Sequence, residues 1–286
     1  MKLIAAILVN LLLTLPALAA SHVWEVKSGD SIAYLGGTCH ALRDSDFPLP
    51  SAFDRAYRQA GAVVFETDIG EMETPEFQQK MMAGMIHHDG RSLQDDLSPQ
   101  AYRALKAYCE KLGFQVTALH PMKPPLVVLT LVSYELQKLG VTRNGVDHFY
   151  YTQAKADRKR TEGLETAEEQ LGFLTVLGKG LADELIEHSL AELDRMGEIF
   201  TALLEAWKRG DEEELYLLLA ESTRKDSPEI YQELFVARNG KWLPRIETLL
   251  ATPQTELVLV GAGHLVGPDG LIESLKKKGY EVRQLD

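Results

Sequence analysis

The chain has 286 residues, 45% of them apolar and 25% charged, with a formal net charge of −12. That is ample material for a globular core. The charge argues against nucleic acid, which is held largely by Lys and Arg on phosphates, and against adsorption to an anionic membrane; a peptide or small-molecule partner remains open.

Residues 1–20 read as an export signal. Lys2 gives a positive start, Leu3 to Leu15 is almost wholly apolar, and Ala17-Leu18-Ala19 is a small-x-small cleavage site. The apolar run is short for a bilayer span, and no later run is long and apolar enough to make one. The expectation is an exported protein, periplasmic or secreted, with residues 21–286 as a single domain and no stable membrane insertion after cleavage. Two cysteines follow, Cys39 and Cys109. An oxidising compartment permits a disulfide between them; the alternative is two buried thiols.

His22 to Lys27 alternates like a strand, Ser28-Gly29-Asp30 is a turn, and Ser31 to Leu35 is the partner strand of a hairpin. This strand runs into Gly37-Thr-Cys-His40. Ser51 starts a helix with apolar Ala52, Phe53, Ala56, Tyr57 and Ala60, stopped by Gly61. Ala62 to Phe65 is a buried strand with Glu66-Thr67-Asp68 at its end. The order strand, helix, strand predicts parallel strands and puts Glu66 on the same sheet edge as His40.

Thr74 to Ala107 reads as helices broken by polar loops. Met81, Met82, Met85 and Ile86 are expected in the core, with His87 and His88 on the same helix but pointing in different directions. Gly113 to Leu119 reads as a strand ending at a structural His120. Leu126 to Gly140 is helical, and Gly145-Val-Asp147-His148 opens a further helix. Arg158 to Thr166 is a short strand with Glu165 at its end, and Glu168 begins another helix. From Leu181 to Trp207 the apolar positions follow the helical period, and a second amphipathic helix runs from Glu212 to Ala220. These predict a helical cap over the sheet, roughly residues 168–250. Helices at Pro228–Val236 and Trp242–Leu250 flank Arg238-Asn239. The strand Leu257–Val260 then meets Gly261-Ala-Gly-His264, followed by the helix Ile272–Lys278 and the strand Tyr280–Leu285. The fold class is α/β (or α+β), with a mostly parallel or mixed central sheet flanked by helices.

The two Gly-x-x-His motifs carry the chemistry. Each follows an apolar strand, and open α/β sheets bind ligands beyond the carboxyl ends of their strands. His40, Glu66, Glu165 and His264 should therefore collect at one edge. Two imidazoles and a carboxylate suit a catalytic divalent ion with an open position, so His40, Glu66 and His264 are the candidate metal ligands. Glu165 is the candidate general base. Arg238 is the candidate to orient a carboxylate or stabilise an oxyanion. His-Glu-x-x-His, Gly-x-Ser-x-Gly and P-loop motifs are all missing from the sequence.

The segments Gly36-Gly-Thr-Cys-His40, Phe47-Pro-Leu-Pro50 with Phe53-Asp54, Val64-Phe-Glu-Thr-Asp68, Gly145-Val-Asp147, Gly163-Leu-Glu-Thr166, Arg238-Asn239 and Gly261-Ala-Gly-His264-Leu-Val-Gly267 together resemble the TraB/GumN family, which includes the TIKI-type metalloproteases. The resemblance spans roughly residues 30–285. It implies an EreA/ChaN-like α/β fold, His40 and His264 as site histidines, and Glu66 as their acidic partner. Asp147, Glu165, Arg238 and Asn239 also match family positions. Metal-dependent peptidase activity is known for some eukaryotic members, whereas bacterial GumN-like members are often linked to polysaccharide gene clusters. Relatives of this lineage differ in chemistry, from esterase to haem binding to pheromone shutdown. The expected function is a metal-dependent hydrolase, a peptidase by resemblance, using Mn, Co or Zn. The alternative is a non-catalytic metal-, haem- or ligand-binding protein on the same scaffold, with a link to polysaccharide production.

Overall fold

Residues 20–141, 145–177 and 180–286 are described by a computed structural model, with side chains omitted for 173–177. Apart from Ala20, the expected export signal lies outside the described residues.

The hairpin forms as expected: β1 (Val23–Ser28) and β2 (Ser31–Thr38) pair antiparallel around Gly29, whose φ of 59° lies in the left-handed region. Helix α1 (Ser51–Gln59) carries the chain to β3 (Ala62–Thr67). Helices α2 (Pro75–Met85), α3 (Pro99–Lys111), α4 (Pro124–Lys138) and α5 (Val146–Ala156) precede β4 (Arg160–Glu165). Next come α6 (Ala167–Leu177), α7 (Ala182–Leu193), α8 (Met196–Arg209), α9 (Glu212–Tyr216) and α10 (Ala237–Leu250). The chain closes with β5 (Glu256–Gly261), α11 (Leu271–Lys277) and β6 (Glu281–Gln284).

The strands form one six-stranded mixed sheet in the order β4-β3-β5-β2-β1-β6. Neighbours β4, β3, β5 and β2 are parallel, while β1 runs antiparallel to both β2 and β6. The architecture is α/β. Because side chains alternate across a strand, Val63 and Phe65 pack on one face with Phe53, Tyr150 and Trp207. Val64 and Val258 pack on the other with Trp24, Trp242 and Ile246. The register sets Thr38 opposite Gly261 and Thr67 opposite Glu165, so the carboxyl ends of four parallel strands are level with one another.

A third cluster, including Leu105, Leu131 and Ile186, joins α3, α4 and α7 helix on helix. The expected cap thus divides its loyalties. Helix α7 packs on α3 and α4, whereas α8 reaches the sheet through Trp207, whose buried indole donates to the Gly37 carbonyl at 2.6 Å.

Several expectations need correction. The apolar run from Leu181 to Trp207 is two helices, broken between Leu193 and Met196. Gly113–Leu119 is not a strand: Val116–Leu119 is a 3-10 turn, and its buried residues, Val116 and Leu119, sit three apart as that helix requires. His87 and His88 lie beyond the end of α2 at Met85, and of the Met-rich group Met85 is buried while Met82 is exposed. His120 has a structural partner, the Tyr102 hydroxyl at 2.8 Å. Among the described residues no helix is long and apolar enough to cross a membrane.

Cys39 and Cys109 are both free and buried, in different clusters. Burial pushes both thiols up, Cys109 to about 11, which disfavours the reactive thiolate. The native protein should therefore resist iodoacetamide, and protein unfolded without reductant should gain two adducts per chain by mass spectrometry. No adducts after unfolding would reinstate the bridge.

Candidate active site at the carboxyl edge of the sheet

His40 follows the end of β2 by two residues, Glu66 is the penultimate residue of β3, Glu165 ends β4, and His264 sits in a short helix, Ala262–Leu265, directly after β5. Parallel strand direction brings all four to one edge. His40, Glu66 and His264 share the wall of a cavity of about 330 Å³ with Arg238 and Gly261.

Each imidazole is pinned at Nδ1. His40 Nδ1 lies 2.8 Å from Asp147 Oδ2, and the other Asp147 oxygen accepts from the Thr38 hydroxyl at 2.9 Å. Asp147 is in the first turn of α5, which is docked onto this edge by the Val146 N–H donating to the Cys39 carbonyl. His264 Nδ1 lies 2.8 Å from Asn239 Oδ1. The Asn239 amide nitrogen donates to the carbonyls of His264 and Asp269. Its oxygen must then face the ring, so Nδ1 carries the proton and Nε2 presents a lone pair.

Both Nε2 atoms turn toward Glu66 Oε1, at 3.9 Å from His40 and 4.0 Å from His264. Gly261 N–H donates to that same oxygen at 2.7 Å. A Cβ at Gly261 would stand 3.1 Å from His40 Nε2 and 3.2 Å from Glu66 Oε1, so glycine is what keeps the space between the donors open.

Arg238 closes the other side. Its Nη2 donates to Glu66 Oε2 and Glu165 Oε1, both at 2.6 Å, Nε to Glu165 Oε2 at 3.3 Å, and Nη1 lies 3.2 Å from His264 Nε2. Trp242 donates from Nε1 to Glu165 Oε2 at 3.2 Å, and its ring lies 4.5 Å from both the guanidinium and the His264 ring. Arg238 and Trp242 are four apart on α10 and so share a helix face.

The electrostatics follow from these neighbours. The Asp147 carboxylate raises His40 to about 9. Burial lowers His264 to about 3, so it is neutral at pH 7. Burial alone would raise Glu66, but the surrounding donors and positive groups outweigh it and hold the carboxyl at about 2. With His264 neutral, Arg238, the protonated His40 and the Gly261 N–H are the lasting contributors. Asp147→Asn should drop His40 toward its ordinary value of about 6.5, readable in an NMR titration of the imidazole. The pair's contribution to wild-type stability is present in full below that value and fades as pH rises through 9; an unmoved titration in the variant would dismiss Asp147 as the cause.

The structure thus gathers His40, Glu66, His264 and Arg238 at one cavity. Glu165 is not in its wall: both carboxylate oxygens face Arg238 and Trp242 behind the guanidinium. The expected general base thus contacts Arg238 and Trp242 rather than the cavity. Asp147 and Asn239 were legible only as matching positions, and the roles of Trp242 and Thr38 had no sequence signal beyond helix spacing and proximity to His40.

For a metal, the donor kinds fit. Donors about 2.1 Å from one tetrahedral ion lie roughly 3.4 Å apart, so separations of 3.9 and 4.0 Å are open by about half an ångström. Pinned Nδ1 atoms are the usual support of ligating histidines. Among the described residues, however, no group of three His, Cys, Asp or Glu stands ready to hold an ion, and Arg238 Nη1 sits against one of the lone pairs required.

The sequence profile of the TraB/PrgY/gumN family matches residues 22–284. The chain is 24% identical over 250 residues to the uncharacterized protein YbaP of Escherichia coli (strain K12), covering 87% of this chain and 89% of that one. It is 24% identical over 317 residues to Metalloprotease TIKI1 of Danio rerio, covering 92% of this chain and 62% of that protein. For Metalloprotease TIKI1 of Homo sapiens the identity is 25% over 315 residues, with 92% and 61% covered. No solved structure gives a significant match.

Proposed function

Since the chain belongs to the TraB/PrgY/gumN family, we propose that it is an exported, metal-dependent hydrolase of peptide bonds, with Mn, Co or Zn held by His40, Glu66 and His264. The observation that carries the reading is the pair of pinned imidazoles, each presenting Nε2 to one oxygen of Glu66 beside the gap left by Gly261. Relatives named metalloproteases support it.

The bound ion would supply acidification of water and polarisation of the substrate carbonyl. In the net reaction water adds across the amide C–N bond: the carbonyl carbon gains the hydroxyl and the amine leaves with the proton. This chain's residues provide the rest. Asp147 and Asn239 fix the ring orientations. Arg238 keeps Glu66 ionised and stands at the cavity wall where negative charge would develop on a carbonyl oxygen. Glu165 and Trp242 hold Arg238 there. Ligation needs His40 Nε2 without its proton, so metal uptake should release a proton and weaken as pH falls below about 9.

A second reading rests on the contact between Arg238 Nη1 and His264 Nε2: an arginine that keeps this lone pair leaves a non-catalytic ligand-binding site. Metal analysis of the purified protein separates the two. The hydrolase reading expects bound metal, loss of peptidase activity on chelation and its return with Mn, Co or Zn. A protein that binds no metal and cleaves no peptide in any of them would leave the binding reading. N-terminal sequencing of the exported form, expected to start at Ala20 or Ser21, tests export.

A further inference from the structure

The cavity at the carboxyl edge has two ends of opposite character. One is the polar group just described. The other is walled by Leu136, Phe200, Leu203, Leu219, Leu234 and Phe235. Phe200 is buried, and the other five are only partly covered, so apolar surface borders the cavity. Burial of such surface is a favourable driving force for any apolar group that enters.

This wall is assembled from separate parts of the chain. Leu136 comes from α4, and Phe200 and Leu203 from α8. The rest come from two widened π turns, Leu217–Glu221 and Gln232–Val236, which break helical phase and re-aim the side chains they carry, as such turns do at functional sites. Phe235 links the two ends. Its ring lies 5.2 Å from that of His264, and a Cβ on Gly263 would come within 2.8 Å of it. Apolar wall therefore begins at the face of an imidazole in the candidate site.

We propose that this end receives a bulky apolar side chain of a peptide substrate, Leu, Phe or Met, on a residue flanking the cleaved bond. The inference rests on the hydrolase reading for the bond and on the cavity for the side chain. Size agrees: a cavity of roughly 150 Å³ accepts benzene, so about 330 Å³ holds a large side chain together with the peptide unit at the polar end. Charge agrees as well, since none of these six side chains could pair with an acidic or basic group placed among them.

The test has two arms. Metal-loaded wild type is profiled on a mixed peptide library, and two peptides differing only in Phe or Asp at one position are titrated against the His40→Ala variant by fluorescence polarisation. The expected result is enrichment of Leu, Phe and Met beside the cleaved bond and at least ~10-fold preference for Phe over Asp, in the range expected for an apolar pocket. Leu203→Trp, which fills the apolar end, should shift the preference to Ala and Val; Leu219→Trp serves if that variant does not fold. A flat cleavage profile, equal affinities, or cleavage of acyl esters alone would overturn the proposal. Absence of any cleavage with a 10-fold binding difference would overturn the hydrolase reading, and with it the link to a cleaved bond, while supporting the apolar end as the seat of a bound peptide's side chain.

Discussion

Replacing Arg238 with methionine should cost about 3–5 kcal/mol of folding stability at neutral pH, the range for breaking a buried ion pair by removing one partner. Arg238 is 8% exposed, and its guanidinium serves Glu66 at 8% and Glu165 at 6%. Methionine keeps much of the stem's packing but leaves Glu66 and Glu165 without the guanidinium that bridges them. Glu66 is held at about 2, below its ordinary 4.5. Its contribution to wild-type stability is thus complete above 4.5 and lost as pH falls toward 2. In the variant the carboxyl protonates at higher pH, so the deficit should be largest near neutrality and shrink below pH 4.5. Urea unfolding of both proteins at pH 7 and pH 4 measures this. Coincident midpoints at pH 7 would show that the network adds nothing.

His40→Ala and His264→Ala should each abolish metal binding and metal-dependent hydrolysis, but at different structural cost. The His40 side chain is 63% exposed, so water screens its pair with Asp147 and its loss should lower the melting temperature only slightly. His264 is 5% exposed and packs against Trp242 and Phe235. Its removal also takes the ring partner from the buried Asn239 Oδ1, and leaving such a buried group unpaired costs about 1–3 kcal/mol. His40→Ala is therefore the cleaner test. Full metal content and full activity in that variant would retire the ligand assignment. Asp147→Ala, which frees the His40 ring without removing it, should reduce metal affinity about 10–100-fold, measured by calorimetry above pH 9, where His40 has lost its proton in both proteins.

The sequence by itself determined the sheet and the edge at which the site lies. Local patterns were enough: Ser28-Gly29-Asp30 between two strand-like runs specifies the hairpin, and apolar runs ending in Gly-x-x-His mark two parallel strand ends. Ala62–Phe65 and Arg158–Thr166 bring Glu66 and Glu165 to the same edge, because a strand–helix–strand chain returns in the same direction. Periodicity reports which face of an element is buried. It does not say against what, and there the sequence reading ended.

Tertiary structure alone decided the partners. Arg238 meets Glu165 across 73 positions and Glu66 across 172, a convergence that no local spacing encodes. Once the guanidinium lies between them, two carboxylates of the same type take different roles: Glu66 faces the cavity, and Glu165 is locked behind it. The same holds for the apolar end of the cavity, where Leu203, Leu219 and Phe235 lie in stretches legible in the sequence only as helical. Two π turns rotate part of that stripe out of phase, and phase within a helix depends on the backbone hydrogen bonds finally chosen, which packing against the sheet sets. At Val116–Leu119 the chain had apolar residues suited to a strand, but Val116 and Leu119 pack into the helical cluster of α3, α4 and α7 and the segment closes into a local turn instead.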